Sequence, residues 1–203
     1  MTEQQGRQAG RVTLWVGDSF TAGEGSGLPA ARTYPHVVSE RLGWQCRVDA
    51  QNGTGFVNDG WAASPDHAPL IGRLRDQVHR GDASIVILDA GRNDVEATVG
   101  ELEAAVAECL AALREVHPSA RIVIVLPSLV GEVQPPEYLR VGAVLRAFAL
   151  TCGAVVVDPA AAGAFADPIR NADLVSADGF HPGRRGQAHY ADCLEYLLRQ
   201  ALA

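Results

Sequence analysis

The chain has 203 residues, of which 47% are hydrophobic and 20% charged, a composition typical of one globular domain that folds without disulfide or metal support. A net charge of −7 at pH 7 argues against a nucleic-acid-binding surface, because phosphate binding needs clustered positive charge. All 17 basic residues are arginine, and the absence of lysine excludes a Walker phosphate loop, a Schiff-base lysine and a Ser–Lys dyad.

The N-terminal segment, residues 1–10, is polar and carries no apolar stretch of the kind that a signal peptide has. We expect it to be disordered or loosely ordered, and we expect residues 11–203 to form a single domain. No apolar run approaches the ~20 residues that a membrane-spanning helix needs, so membrane insertion is not expected. A cytoplasmic location is therefore the prediction, with a mature secreted form as the alternative.

Five apolar runs recur along the chain. They are rich in Val and Ile and nearly continuous in hydrophobicity, as are strands that are covered on both faces. The predicted strands are Val12–Val16, Cys46–Ala50, Ser84–Leu88, Ile122–Leu126 and Ala154–Val157.

Helix-period patterns separate these runs. The clearest begins near Glu96 and ends near Val116, with apolar residues three and four positions apart, and Pro118 closes it. The others cover about Pro35–Leu42, Leu70–Arg80, Glu137–Thr151 and Arg184–Leu202. The alternation predicts an α/β fold, a three-layer α/β/α sandwich around a five-stranded parallel sheet. Ligands of such sheets bind beyond the carboxyl ends of the strands.

Four polar motifs stand where that rule places a ligand site. The sequence GDSFTAG (17–23) follows the first predicted strand, NGTG (52–55) the second and GRND (91–94) the third. The fourth motif, DGFHP (178–182), opens the last predicted helix. All four are expected at one edge of the sheet.

Together these motifs supply the groups that acyl transfer requires. Ser19 is the candidate nucleophile, His181 its general base and then acid, and Asp178 the carboxylate that orients the imidazole. The N–H groups of Ser19 and Gly55, with the side-chain amide of Asn93, are the candidate oxyanion donors.

In this order the blocks resemble those of the SGNH hydrolase superfamily, the GDSL-like esterases and lipases. GDSF matches the first block of the family, GRND the third and DGFH the fourth. The resemblance carries the catalytic positions over to Ser19, Asn93, Asp178 and His181. It implies a flavodoxin-like fold for residues 11–203, a serine-esterase activity, and no need for a metal or nucleotide cofactor.

Two positions match the blocks of the family less closely than the others. The glycine of the second block is best matched by Gly55, with Gly53 as the alternative. Phe20 replaces the commoner leucine of the first block, an apolar exchange that should affect packing and not chemistry.

Other residues in the motifs have alternative roles. Asp18 and Asp94 are expected to hold their loops through backbone N–H groups. Arg92 either reaches the crevice and binds an anionic or sugar group or forms a salt bridge within the protein. The segment Gly23–Gly27 is expected to form a flexible rim of the site.

The cysteines and the remaining histidines predict no further chemistry. The cysteines are far apart in apolar stretches and are expected to be free buried thiols, with disulfides as the alternative; they are Cys46, Cys109, Cys152 and Cys193. The other histidines show no metal-ligand spacing; they are His36, His67, His79, His117 and His189.

The predicted function is hydrolysis of a carboxylic ester through an acyl-Ser19 intermediate. A small acyl group such as acetyl, on a sugar or small metabolite, is favoured. Transfer of the acyl group to a hydroxyl acceptor is the alternative within the same chemistry, and a non-catalytic binding module is a remote one. The expected partner is therefore a small-molecule ester, and the sequence leaves the oligomeric state open.

Overall fold

The computed structural model describes residues 10–75, 81, 83–130 and 134–203. Its centre is a parallel sheet of five strands in the order β2-β1-β3-β4-β5. The strands are β1 (Val12–Gly17), β2 (Gln45–Ala50), β3 (Ile85–Asp89), β4 (Arg121–Val125) and β5 (Val155–Val157). All five strands predicted from the sequence are present, and their bounds agree within a residue or two.

Seven α-helices and one 3₁₀ turn at Ala30–Arg32 lie in the described residues. The helices are α1 (Ser19–Ala22), α2 (Tyr34–Leu42), α3 (Leu70–Arg75), α4 (Val99–Val116), α5 (Pro136–Cys152), α6 (Pro168–Asn171) and α7 (Arg184–Ala201). The last part of the helix predicted over Leu70–Arg80 lies outside the described residues, and so do all but Gly10 of the predicted N-terminal segment 1–10.

Two apolar cores lie on opposite faces of the sheet, because neighbouring side chains of a strand point in opposite directions. In β1, Leu14 and Val16 pack in one core and Trp15 in the other. Helices α3, α4 and α5 cover the first core, whereas α2 and α7 cover the second. The result confirms the predicted three-layer α/β/α sandwich.

The strand order places the functional motifs. In the sheet, β2 lies on one side of β1 and β3 lies on the other. The direction in which successive strands are added therefore reverses at β1. Open α/β sheets bind ligands at this switch point, beyond the carboxyl ends of the strands. The first motif leaves β1 there and the third leaves β3. Within the described residues, no helix is both long and apolar enough to cross a bilayer.

Candidate active site

The first motif makes a tight turn from β1 into α1. Asp18 is the N-cap of α1, and its Oδ1 accepts the N–H of Phe20 at 2.9 Å. A Cβ on Gly17 would lie 2.0 Å from Thr21 Oγ1, so only glycine lets the helix begin this close to the strand. Ser19 is consequently the first residue of α1, held at the end of β1 and 5% exposed.

The fourth motif brings an imidazole to this serine. His181 Nε2 lies 2.8 Å from Ser19 Oγ, and His181 Nδ1 lies 2.8 Å from Asp178 Oδ2. The imidazole thus spans the distance from the hydroxyl to the carboxylate, although the serine and histidine are 162 positions apart in the chain. Such an arrangement can take a proton from the serine as the hydroxyl attacks, and can stabilise the imidazolium that forms.

Asp178 is itself held by the turn that carries it. Its Oδ1 accepts hydrogen bonds from Ser176 Oγ at 2.7 Å and from the N–H groups of Phe180 at 2.8 Å and His181 at 2.9 Å. Desolvation acts to raise the pKa of Asp178, but these hydrogen bonds and the His181 side chain outweigh it and hold the pKa below its ordinary value. The carboxylate therefore stays charged beside the imidazole. Sequence analysis missed Ser176, since a serine two residues before an aspartate is a common pattern.

The third motif anchors the loop that follows β2. Asn93 Nδ2 donates to the carbonyl of Thr54 at 2.9 Å, which places the amide side chain beside the second motif. Asp94 is buried and accepts the N–H groups of three consecutive residues, Phe56 at 2.8 Å and Val57 and Asn58 at 2.9 Å. The expectation that Asp94 holds a loop through backbone N–H groups is confirmed.

Gly55 does not offer its N–H to an oxyanion in this structure. That N–H donates to the carbonyl of Asn58 at 2.8 Å. A Cβ on Gly55 would lie 2.3 Å from Asp94 Oδ1, so close packing explains why glycine stands here. Gly53, the alternative from the sequence, has a φ of +75°, and its N–H has no acceptor among the described residues. Among the described residues, the N–H of Gly53 is thus left as a possible donor, whereas that of Gly55 already has an acceptor.

The structure distinguishes between the two alternatives for Arg92. Its guanidinium is 1% exposed, and Nη1 lies 2.8 Å from Asp89 Oδ1 and 3.2 Å from Asp18 Oδ2. The side chain lies within the protein beneath the turn of Ser19 and is not available to a substrate in the crevice. The salt-bridged alternative for Arg92 is the one that the structure contains.

Arg73 in α3 connects three parts of the site that sequence analysis did not link. Its Nη2 donates to the carbonyl of Gly17 at 3.0 Å and to Thr54 Oγ1 at 3.1 Å. Its Nη1 pairs with Asp49 Oδ1 at 2.8 Å. One buried side chain thus joins the ends of β1 and β2 to the loop of the second motif. The sequence contained no signal for this role beyond an arginine within a helical pattern.

The rim segment Gly23–Gly27 touches both sides of the site. Glu24 Oε2 accepts a hydrogen bond from Asn52 Nδ2 at 2.6 Å, on the side of the second motif. A Cβ on Gly25 would lie 2.5 Å from Ser176 Oγ, on the side of the fourth motif. The segment therefore borders the site, as predicted.

The cysteines take no part in this arrangement. All four are free thiols in the structure, and Cys109 is fully buried. Burial raises the pKa of the Cys109 thiol to about 12 and that of Cys193 to about 11. The expectation of free thiols agrees with the structure, but only Cys109 is buried, and the other three cysteines are partly exposed.

Comparison with known proteins decides the family. The sequence profile of the GDSL-like Lipase/Acylhydrolase family matches residues 15–189, a stretch that begins in β1, ends in α7 and contains all four motifs. The chain belongs to this family. This GDSL-family protein is accordingly an SGNH hydrolase that acts on carboxylic esters, which confirms the resemblance drawn from its motifs.

Individual relatives cover nearly the whole chain. The GDSL lipase Rv0518 of Mycobacterium tuberculosis is 29% identical over an alignment of 195 residues that covers 92% of this chain and 81% of the lipase. The crystal structure of TesA superposes with a TM-score of 0.71 at 19% identity, over 94% of this chain and 99% of TesA. A variant of Axe2, an acetyl xylan esterase from Geobacillus stearothermophilus, superposes with a TM-score of 0.64 at 21% identity, over 95% of each chain. The two structural likenesses show that the GDSL-family protein shares their fold.

Proposed function

We propose that this GDSL-family hydrolase is a serine esterase in which Ser19 attacks the ester carbonyl and carries the acyl group as a covalent intermediate. The observation that carries the proposal is the continuous chain of contacts from Ser19 Oγ to His181 Nε2 and from His181 Nδ1 to Asp178, each 2.8 Å long. A serine hydroxyl is a weak nucleophile at neutral pH and needs such an adjacent base.

The reaction proceeds in two halves. Ser19 Oγ bonds to the carbonyl carbon as His181 Nε2 takes its proton, and the imidazolium then gives that proton to the leaving alcohol as the ester C–O bond breaks. In the second half His181 takes a proton from water, the hydroxide oxygen bonds to the acyl carbon, and the proton returns to Ser19 as the acid leaves. Asp178 stabilises the imidazolium in both halves.

The negative charge on the carbonyl oxygen needs preorganised donors. The Ser19 N–H at the start of α1 and the Asn93 side-chain amide are two, as the sequence suggested. For the third we propose the N–H of Gly53, because that of Gly55 is bonded to Asn58. Each donor contributes about 10²–10³ in rate in enzymes where one has been removed.

We propose a small acyl group, such as acetyl, carried by a sugar or a small metabolite. The low exposure of Ser19, 5%, supports this choice, because a small acyl group needs less free surface beside the hydroxyl than a bulky one. One structural relative, Axe2, is named an acetyl xylan esterase. The mycobacterial relative is named a lipase, so the competing prediction is a longer acyl chain.

A fluorophosphonate and a series of p-nitrophenyl esters test these proposals. We expect the fluorophosphonate to label native protein at Ser19, and Ser19→Ala to abolish labelling and lower turnover by about 10³-fold or more. Ser64→Ala, in the loop after β2, is the matched control and should label like native protein. Native protein that is not labelled would refute the proposed mechanism.

The ester series separates the substrate classes. Turnover should be highest for acetate and fall as the acyl chain lengthens. A maximum at about eight or more acyl carbons, as a lipase would show, would refute the small-acyl proposal. Adding alcohols and sugars as acceptors distinguishes hydrolysis from acyl transfer, since a transferase would form the new ester in place of the free acid.

A further inference from the structure

A cluster of buried charged and polar side chains lies directly under the turn that carries Ser19. We call it the Arg92 cluster: Arg92, Asp18, Asp89, Tyr34 and Tyr190, each 2% exposed or less. Arg92 Nη1 pairs with Asp89 Oδ1 at 2.8 Å and Asp18 Oδ2 at 3.2 Å, and Nη2 donates to Tyr190 Oη at 3.1 Å. Tyr34 Oη donates to Asp89 Oδ2 at 2.5 Å. One guanidinium therefore joins the carboxyl ends of β1 and β3, the two strands that flank the switch point.

The charges of the cluster are fixed by one another. Desolvation disfavours the Arg92 cation, but Asp89 and Asp18 outweigh it and raise the pKa of Arg92 well above its ordinary value. Burial raises the pKa of Asp18, and Arg92 acts in the opposite direction. A buried charge without a partner is strongly unfavourable, so neither Asp18 nor Arg92 can turn away from the other at low cost. The cluster is thus a rigid support.

This support contacts Phe20, the residue after Ser19, in two ways. Asp18 accepts from Arg92 Nη1 at Oδ2, at 3.2 Å, and at Oδ1, at 3.5 Å. The same Oδ1 caps α1 by accepting the N–H of Phe20. The Arg92 guanidinium carbon also lies 4.2 Å from the centre of the Phe20 ring, and that ring lies 5.6 Å from the His181 ring. Asp18 and Phe20, the residues before and after Ser19 in the chain, are therefore both in contact with Arg92.

We propose that Arg92 is a positioning residue, which holds Ser19 and His181 in reacting geometry by fixing Asp18 and Phe20 beneath them. The inference rests on the proposed function of Ser19. It assigns a role to the variable residue of the GRND motif, for which the sequence left a substrate ligand and a salt bridge as alternatives. Displacing a reacting group by about 1 Å can cost up to 10²-fold in rate, so even a small shift of this support should be measurable.

Arg92→Lys is the first test, because lysine keeps the charge but cannot contact Asp18, Asp89 and Tyr190 together. We expect the rate constant for fluorophosphonate labelling of Ser19, and kcat for p-nitrophenyl acetate, to fall about ten-fold while KM changes less than about two-fold. Arg146→Lys is the matched control, since Arg146 pairs with Asp158 at the surface, and it should react like native protein. A changed KM with unchanged kcat would overturn the proposal.

A double-variant cycle with Asp18→Asn separates positioning from general destabilisation. Asparagine keeps an acceptor for the Phe20 N–H but turns an NH₂ group toward Arg92 Nη1. The ion pair and the 3.2 Å contact are then lost, and only the 3.5 Å contact through Oδ1 remains. Asp18→Asn alone should also slow labelling about ten-fold, and adding Arg92→Lys should slow it less than about three-fold more. Independent ten-fold effects of the two exchanges would overturn the proposal.

These outcomes are distinct from failure of the proposed function. If native protein is not labelled at Ser19, the esterase mechanism itself is wrong. If native protein is labelled and Arg92→Lys, folded by circular dichroism, is labelled at the same rate, only the positioning role is wrong. Should Arg92→Lys not fold, Asp18→Asn decides alone: labelling at the native rate overturns the role of Arg92, and a ten-fold loss supports it.

Discussion

Exchanging Asp94 for asparagine tests how the loop after β2 is held. The buried carboxylate accepts the N–H groups of Val57 and Asn58 at Oδ1 and that of Phe56 at Oδ2. Asparagine keeps one acceptor oxygen, which can serve Val57 and Asn58, and then turns its NH₂ group toward the buried N–H of Phe56. One buried donor without an acceptor costs about 1–3 kcal/mol. Asp94→Ala leaves all three donors without this acceptor, and we expect a loss of roughly 3 kcal/mol or more.

Urea denaturation, followed by tryptophan fluorescence, measures both losses. The free energy of unfolding falls by about 1–3 kcal/mol for each molar of urea. Asp94→Asn should therefore lower the urea midpoint of unfolding by about 1 M without changing this slope, and Asp94→Ala should lower it further. Asp66→Asn, an exposed aspartate in the neighbouring loop, is the control and should change stability by less than about 0.5 kcal/mol. The reasoning is refuted if the urea midpoint of Asp94→Asn equals that of the Asp66→Asn control, or if it is as low as that of Asp94→Ala.

Three further predictions concern other parts of the molecule. Gly55→Ala would place a methyl group 2.3 Å from Asp94 Oδ1, so turnover should fall by about ten-fold or more. Gly100→Ala is the control, because its added Cβ would contact no other atom, and it should not lower turnover. Equal activity of the two variants would contradict the prediction. Because burial raises the pKa of Cys109 to about 12, iodoacetamide at pH 8 should alkylate it only after denaturation; rapid alkylation of folded protein would disprove this. The pKa of Asp178 is lowered by folding, so its contribution to stability is present above the unfolded value of about 3.9 and is lost as the pH falls below it. Asp178→Asn should therefore lower the urea midpoint at pH 7 and have a smaller effect at pH 3, whereas an equal effect at both would argue against this linkage.

The sequence by itself determined the strands, most helix positions and the candidate catalytic motifs of this protein. Apolar periodicity is local, and a strand covered on both faces must be continuously apolar whatever its neighbours are. That is why β1 to β5 could be located within a residue or two. The start of α4 was placed near Glu96 and lies at Val99, because Thr98 and Glu101 form a capping box. This signature was present in the sequence and could have fixed the boundary.

The candidate roles of Ser19, Asp178 and His181 came from the sequence, because each lies in a short motif at a predicted strand end or helix start. Their residue types restrict the chemistry to nucleophile, carboxylate and base. The sequence could not give the contact between Ser19 and His181, which depends on the strand order β2-β1-β3 and on the position of α7.

Only the tertiary structure showed which residues surround Arg92 and Gly55. The surroundings of Arg92 come from Asp18, which is 74 positions away, and from Tyr190, which is 98 positions away. Gly55 meets Asp94, which follows a different strand. The partner of a buried charge, or the space beside a glycine, is set by which segments pack together, and local patterns carry no information about that packing. The sequence therefore specified which groups could react, and the assembled sheet specified which of them meet and which are held beneath as support.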